Sequence, residues 1–136
     1  MDIVNAAFYD HFVNPRNVGV VEDPDGVGKR GDPDCGDFLV VTIKVEDEAI
    51  ADIRFLCKGC SAAIATSSAM TELVKGERLD TAMRVTPAMI EEEVGGLPEE
   101  KRHCSLLGAD ALKEAVADYV SRKEEIERDR NASKGE

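Results

Sequence analysis

The spacing of the hydrophobic residues changes at Cys60, and this change constrains the fold more than any other feature. Before Cys60, residues 38–45 and 49–56 are rich in β-branched and apolar side chains, and an acidic segment at 46–48 separates them, which predicts a β-hairpin. After Cys60, small and apolar residues recur at helical spacing, as in Ala62, Ala65, Ala69 and Leu73. Strands followed by helices predict an α+β domain in which helices pack on one face of a small antiparallel sheet.

The residues before the hairpin predict a helix and then a loop. Apolar side chains at helical spacing predict a helix over residues 2–13, which ends before Pro15 because a residue preceding proline avoids helical geometry. Residues 18–37 are rich in Gly, Pro and Asp, so we expect a loop with a short edge strand near 27–30, the third strand of the sheet. Residues 26–31 form a GxGxxG pattern, but no strand precedes it and no helix follows. We therefore assign its glycines to a turn-rich loop and not to a nucleotide site.

The C-terminal half predicts three further helical segments. Asp80 is expected to cap a short turn that runs through Arg84. A helix over residues 87–94 is bounded by proline at its first position and by two glycines at its end. A longer final helix carries Leu112, Ala115, Val116, Tyr119 and Val120 on one face. It continues into a charged tail that we expect to fray from about residue 122, so residues 1–136 form a single domain.

Composition excludes several classes of function. The chain has 17 Lys and Arg against 28 Asp and Glu, a net charge of -11, and no tryptophan, so nucleic acid is not an expected partner. No apolar stretch approaches the roughly 18 residues that span a bilayer, and the N-terminus lacks a basic, apolar signal segment, so we expect no membrane association and a cytoplasmic location. Cytosolic cysteines more often bind metal or react than form disulfides.

Three cysteines, together with two neighbouring polar residues, predict a metal site. Cys35, Cys60 and Cys104 lie in a loop or before a predicted helix, while Asp37 and His103 lie close to them in sequence. A thiol at a helix N-terminus faces unpaired N–H groups that favour the thiolate, the form that binds metal. Three soft ligands with a choice of a fourth suit an iron-sulfur cluster or zinc. The competing interpretation is ordinary buried cysteines, a surface histidine and an aspartate that caps a turn.

Cys57 forms a CxxC pattern with Cys60. Such a pair suggests half of a zinc site or a thioredoxin-type redox pair. Because Cys57 falls at the end of a predicted strand, we expect it to point away from the loop ligands. We interpret it as a residue that fills the core.

Several segments of the chain, in order, resemble the IscU/NifU N-terminal family of iron-sulfur cluster assembly scaffolds. Residues 10–19 are similar to the family's DHYxNPRNVG segment, and residues 35–37 are similar to its CGD motif. Residues 59–68 are similar to GCGSAIASSS, and residues 103–107 are similar to HCSxL. Three separate cysteine motifs rarely align by chance, and the resemblance extends over residues 2 to about 120.

The resemblance implies that Cys35, Cys60 and Cys104 converge with Asp37 and His103 to bind a [2Fe-2S] cluster, either Asp37 or His103 being the fourth ligand. It also implies that a cysteine desulfurase supplies sulfur, with Cys104 as the first acceptor, and that other proteins donate iron and electrons. Apo iron-sulfur proteins then receive the cluster. Asp37 is the candidate for a weak, exchangeable contact that eases release. The implied state is a monomer or a cluster-linked oligomer.

The chain departs from the family at residues 97–101, where LPEEK replaces the LPPVK of many bacterial members, so a dedicated Hsp70-type chaperone is a doubtful partner. A zinc-bound sulfur acceptor for the desulfurase remains an alternative, because the same ligands suit Zn²⁺. The segment between Cys60 and Cys104 lacks the insertion of the zinc-binding SufU branch, and His103 is present, which favours the scaffold. A thiol enzyme with Cys104 as nucleophile and His103 as base is disfavoured, because neighbouring side chains usually diverge.

Overall fold

The computed structural model describes residues 5–31 and 36–134 as a three-stranded antiparallel sheet covered by helices. The strands are β1 (Gly26–Gly31), β2 (Phe38–Glu46) and β3 (Ala49–Lys58), in the spatial order β1-β2-β3. The helices are α1 (Ala6–Val13), α2 (Ser61–Val74), α3 (Leu79–Met83), α4 (Pro87–Glu93) and α5 (Arg102–Lys134). This arrangement confirms the expected α+β class. Among the described helices, none has the length and apolar character needed to cross a bilayer.

The β2–β3 hairpin supplies the sheet half of the core. Asp47 and Glu48 form its turn with positive φ angles of 52° and 60°. The side chains on its inner face are almost fully buried, namely Leu39, Val41, Ile43, Ile53 and Phe55. Helices α2 and α5 cover this face and add Ala65, Ala69, Met70, Ala111, Leu112 and Ala115 to the core. The predicted hairpin is therefore confirmed, and small residues on the helices allow them to approach the sheet closely.

Strand β1 confirms the short edge strand expected near residues 27–30, and its glycines lie in this strand and not in a turn-rich loop. A Cβ atom on Gly28 would lie 2.0 Å from the carbonyl oxygen of Ala111, and one on Gly26 would lie 2.1 Å from that of Ala115. The glycines therefore let the backbone of α5 touch the backbone of β1. Only the assignment of these glycines to a turn-rich loop was wrong, because the sequence pattern does not show that a distant helix packs on this strand.

Helix α5 also covers the outer edge of β1. The Val27 N–H donates to Asp118 Oδ2 at 2.9 Å, and the Lys29 N–H donates to Glu114 Oε1 at 2.9 Å. An edge strand with unpaired N–H groups can pair with another chain, and these carboxylates satisfy two of those donors. The interface between β1 and α5 is thus held by backbone contact and by specific hydrogen bonds.

The starts of α1 and α4 can be compared with the sequence-based expectations. Helix α1 begins at Ala6 and is capped by Asn5, whose Oδ1 accepts the Phe8 N–H at 2.8 Å; the expected start at residue 2 lies outside the described residues. Thr86 caps α4, with proline at its first position, as expected.

The expected cap at Asp80 is wrong, because the cap of α3 lies two residues earlier in the chain. Arg78 occupies the N-cap position, and Asp80 lies within the first turn. Helix α5 continues to Lys134, beyond residue 122, and its side chains from 121 to 132 are exposed. Fraying of this tail stays a prediction.

Candidate metal centre

The first part of the site forms where β3 gives way to α2. Cys60 occupies the N-cap position of α2, and its backbone N–H donates to Asp37 Oδ1 at 3.2 Å. A Cβ on Gly59 would lie 2.5 Å from the same oxygen, so glycine is needed for Asp37 to reach the helix end. The capping role considered for Asp37 is therefore present, and its second oxygen, Oδ2, faces the thiols.

The second part of the site is the first turn of α5. This helix begins at Arg102, so His103 and Cys104 lie inside it. The sequence predicts instead that Cys104 lies before the helix. A short 3₁₀ turn at Glu99–Lys101 leads directly into the helix, so helical structure begins before His103 and Cys104. Cys104 is 1% exposed, whereas the His103 side chain is 61% exposed. One ligand candidate therefore faces the protein interior and its neighbour faces solvent.

These two parts bring four polar side chains together. The Cys60 and Cys104 Sγ atoms lie 3.8 Å apart, and Asp37 Oδ2 lies 3.8 Å from the first and 3.6 Å from the second. His103 Nε2 lies 3.5 Å from Asp37 Oδ2 and 3.6 Å from Cys104 Sγ. Soft sulfur, imidazole and carboxylate donors are the ligand types for iron-sulfur clusters and zinc. The fifth candidate, Cys35, lies outside the described residues, so its place in this group stays a prediction.

Burial controls the protonation of Cys104 in the metal-free protein. Burial, followed by the neighbouring Cys60 and Asp37, raises the pKa of the Cys104 thiol to about 12. The expectation that its helix N-terminus favours the thiolate is therefore wrong for this state, because desolvation and two neighbouring acidic groups outweigh the helix dipole. A bound metal ion reverses this balance, since a coordinating thiol is deprotonated by the cation.

Three of the four side chains, those of Asp37, Cys60 and His103, border an open depression of about 420 Å³, while Cys104 is buried beside them. Gly36, Lys101 and Leu107 complete its lining. Sequence reasoning missed Lys101 as a residue of this site. Its position three residues before Cys104 places both on one side of a helical turn, a signal that could have identified it. Because Lys101 is the cation among these lining residues, it reduces the negative charge at a site that collects thiolates and a carboxylate.

Cys57 lies closer to this site than expected. It packs against the main core, consistent with a filling role, but it also contacts the small cluster of Ala62, Ala63 and Cys104. Burial, with smaller contributions from Asp37 and Cys60, raises its pKa to about 11. Cys57 is therefore a neutral thiol behind the site, and its orientation away from the ligands stays a prediction.

The segment 10–19 braces the helix that carries Cys60. The Arg16 backbone N–H donates to Ser68 Oγ at 2.9 Å, and His11 Nδ1 lies 2.8 Å from the same hydroxyl. The Arg16 guanidinium, which can only donate, lies 3.4 Å from His11 Nδ1, so this nitrogen is an acceptor and the imidazole is neutral. Burial, together with the charge of Arg16, lowers the pKa of His11 below 6.5.

Comparison with known proteins gives a consistent result. Residues 4–126 match the family described as NifU-like N terminal domain. The chain is 51% identical over 120 residues to the iron-sulfur cluster assembly scaffold protein IscU 1 of Archaeoglobus fulgidus, covering 88% of this chain and 78% of the relative. It is 50% identical over 119 residues to IscU of Escherichia coli K12, covering 85% and 92%.

A solved structure supports the fold independently. The N-terminal part of a nitrogen-fixing NifU-like protein from Brucella abortus superimposes with a TM-score of 0.68 at 24% identity, covering 86% of this chain and 94% of the other. The Azotobacter chroococcum nitrogen fixation protein NifU is 46% identical over 122 residues, which is 39% of its length. The match thus spans less than half of that longer protein.

Proposed function

This chain belongs to the family of NifU-like N-terminal domains, and from that premise we propose that it is a scaffold on which an iron-sulfur cluster is assembled and from which the cluster passes to apo-proteins. The observation that carries the proposal is the meeting of Cys60, Cys104, Asp37 and His103 within 3.5–3.8 Å contacts around an open depression. An open site allows the cargo to enter and leave, whereas a closed four-ligand cage would retain it.

We assign the cargo to Cys35, Cys60 and Cys104, with Asp37 or His103 as the fourth ligand, and we propose that the cargo is a [2Fe-2S] cluster. Support comes from the donor types and from the position of Cys35, which is two residues before Asp37 in sequence. The Asp37 carboxylate is a hard ligand on soft iron, so it makes the exchangeable contact that lets the cluster leave.

Sulfur arrives from a cysteine desulfurase as a persulfide, and Cys104 is the proposed first acceptor. The Cys104 thiolate attacks the terminal sulfur of the desulfurase persulfide, a new S–S bond forms on Cys104, and the desulfurase cysteine leaves as a thiolate. Because the free thiol has a pKa of about 12, the attack requires prior loss of its proton. His103 Nε2, 3.6 Å from Cys104 Sγ, is placed to accept that proton.

Other partners follow from the same proposal. Separate proteins supply iron and electrons, and the protein acts in the cytoplasm as a monomer or as a cluster-linked oligomer. Because residues 97–101 are LPEEK and not LPPVK, a dedicated Hsp70-type chaperone stays a doubtful partner.

The alternative is a zinc-bound sulfur acceptor for the desulfurase. Asp37, His103 and Cys104 offer ligand atoms that all lie within 4.8 Å of one another, and this set also suits Zn²⁺. A thiol enzyme using Cys104 and His103 is a third candidate. The objection that adjacent side chains diverge does not apply to this pair, since their reactive atoms lie 3.6 Å apart. The relatives named above are scaffold proteins, which favours the first proposal.

Anaerobic reconstitution with ferrous iron, cysteine and a cysteine desulfurase tests these proposals. We expect iron and acid-labile sulfide in near-equal amounts on the wild type and neither on a variant with Cys35, Cys60 and Cys104 changed to alanine. Cys57→Ser is the matched control and should retain the cluster. Zinc that resists exchange, with no incorporated sulfide, would favour the zinc-bound acceptor. Activity retained after complete metal removal would favour the thiol enzyme.

A further inference from the structure

The first turn of α5 carries two ligand candidates and contains Arg102 and His103 but no acidic residue. The 3₁₀ turn at Glu99–Lys101 that leads into it places Glu99 and Glu100 near the positive end of the helix dipole. Local acidic residues therefore supply negative charge at this helix end. The orientation of the first turn depends on contacts with a neighbouring helix.

The carboxylate of Glu91 on α4 makes these contacts. Ser105 Oγ lies 2.8 Å from Glu91 Oε2 of α4, and Arg102 Nε lies 3.5 Å from Glu91 Oε1. The Ser105 hydroxyl also lies 2.7 Å from the Arg102 carbonyl oxygen, but it has one proton, and an ionised carboxylate is the stronger acceptor. Ser105 is fully buried, and the Glu91 side chain is 18% exposed. The bond from Ser105 is therefore shielded from competing water, whereas the Arg102 pair is more exposed and weaker.

Glu91 is held by a rigid support. Its neighbour Ile90 and the helix-ending residue Val94 are both fully buried in the core. Ile90 Cδ1 would lie 3.7 Å from a Cβ on Gly108, so α4 and α5 pack closely beside the contact. The Glu91 carboxylate is thus held in place by the core. It contacts residues 102 and 105, which flank His103 and Cys104 in sequence.

We propose that Glu91 is a positioning residue for the metal centre: by accepting the Ser105 hydrogen bond and pairing with Arg102, it fixes the first turn of α5 in the geometry that presents His103 and Cys104 to the metal. This inference rests on the proposed role of those two residues as ligands. It assigns no contact between Glu91 and the metal.

Cobalt binding tests this proposal without cluster assembly. Co²⁺ added anaerobically to the full chain reports ligand geometry through its thiolate charge-transfer and visible bands. Loss of a residue that orients a ligand typically lowers metal affinity about 10- to 100-fold, and we expect Glu91→Ala to lower Co²⁺ affinity by about tenfold and to change the visible bands. Glu91→Gln keeps an oxygen for Ser105 and should recover part of the affinity. Glu92→Ala, at an exposed neighbour on α4, is the matched control and should leave affinity and spectrum unchanged.

The outcomes separate positioning from general stability. If Glu91→Ala and Glu92→Ala bind Co²⁺ with wild-type affinity and spectrum, the proposal is wrong. If Glu91→Ala fails to fold, Ser105→Ala provides the second test, because it removes the donor and leaves the carboxylate; an unchanged spectrum would overturn the proposal. Wild type that binds Co²⁺ but assembles no iron and sulfide would refute the scaffold function and leave the role of Glu91 supported or refuted by the variants.

Discussion

Helix α5 contacts the rest of the molecule in two different ways. Against β1 it packs backbone on backbone at Gly26 and Gly28, with edge N–H groups satisfied by its own carboxylates. At its N-terminus it instead presents Cys104 and His103 to Asp37 and Cys60, with polar atoms 3.5–3.8 Å apart beside an open depression. The first contact leaves no space for another group, whereas the second borders open space. One helix therefore anchors the fold and also offers a site that can accept cargo.

The largest expected effect comes from breaking the β1 contact. Gly28→Val places a Cβ 2.0 Å from the Ala111 carbonyl oxygen, a distance that forces strand and helix apart. Overpacking costs about 1–3 kcal/mol and more where the backbone must move, so we expect a loss of about 3 kcal/mol in the free energy of unfolding. Urea denaturation measures it.

Gly108→Ala is the matched control on the same helix. A Cβ there has ordinary contacts, at 3.7 Å from Ile90 and 3.9 Å from Met70, and alanine favours a helix over glycine by about 1 kcal/mol. Unchanged or increased stability is expected. Equal destabilisation by the two substitutions would contradict the proposed backbone contact.

Removing a thiol from the metal site should affect cluster binding strongly and stability only slightly. Cys104→Ala removes one small buried side chain, and we expect a stability loss of about 1 kcal/mol together with complete loss of a stable cluster. Circular dichroism and iron and sulfide analysis on the same sample separate the two effects. Cys57→Ala, at the half-buried thiol behind the site, should retain the cluster, and loss of the cluster in that variant would show that Cys57 is also a ligand.

Asp37 contributes both to stability and to the metal site, because one carboxylate oxygen caps α2 and the other faces the thiols. Asp37→Ala removes the acceptor of the Cys60 N–H, and loss of such a cap costs about 1 kcal/mol. The same variant should lengthen the lifetime of the assembled cluster under transfer conditions, measured by the decay of its visible absorbance. Asp37→Asn retains an oxygen for the cap and removes the charge, so it should recover the stability. A cluster lifetime unchanged in both variants would refute the proposed exchangeable contact.

The smallest expected effect is a pH-dependent change in stability from His11, which contacts Ser68 of α2. The folded-state pKa of His11 lies below its ordinary value of 6.5, so the unfolded chain binds a proton first as the pH falls. Stability is then fully present above pH 6.5 and declines as the pH falls from 6.5 towards the folded pKa. Urea denaturation between pH 7.5 and pH 5.5 should show this decline. His11→Asn lacks the titrating group, and the same slope in that variant would assign the decline to other residues.

Local sequence chemistry predicted much of this molecule. The β2–β3 hairpin and its turn, the start of α4 at Thr86 and Pro87, and the position of Cys60 at a helix start all agree with the expectations. These features depend on residues close together in sequence. The edge strand near 27–30 also agrees, but the assignment of its glycines to a turn-rich loop failed because it depends on a distant helix. The assignment of Asp80 to a cap failed because α3 is capped two residues earlier, at Arg78.

Glycine, proline and periodicity mark element ends locally, so the residues alone predict that Cys60, Asp37 and His103 lie near the ends of strands and helices. They do not predict that Asp37 Oδ2 lies 3.6 Å from a sulfur 67 residues away, or that burial there raises a thiol pKa to about 12. They also do not predict that Glu91 reaches Ser105. Desolvation and hydrogen bonding depend on which distant segments share a space, and the packing of α5 on the sheet brings those segments together.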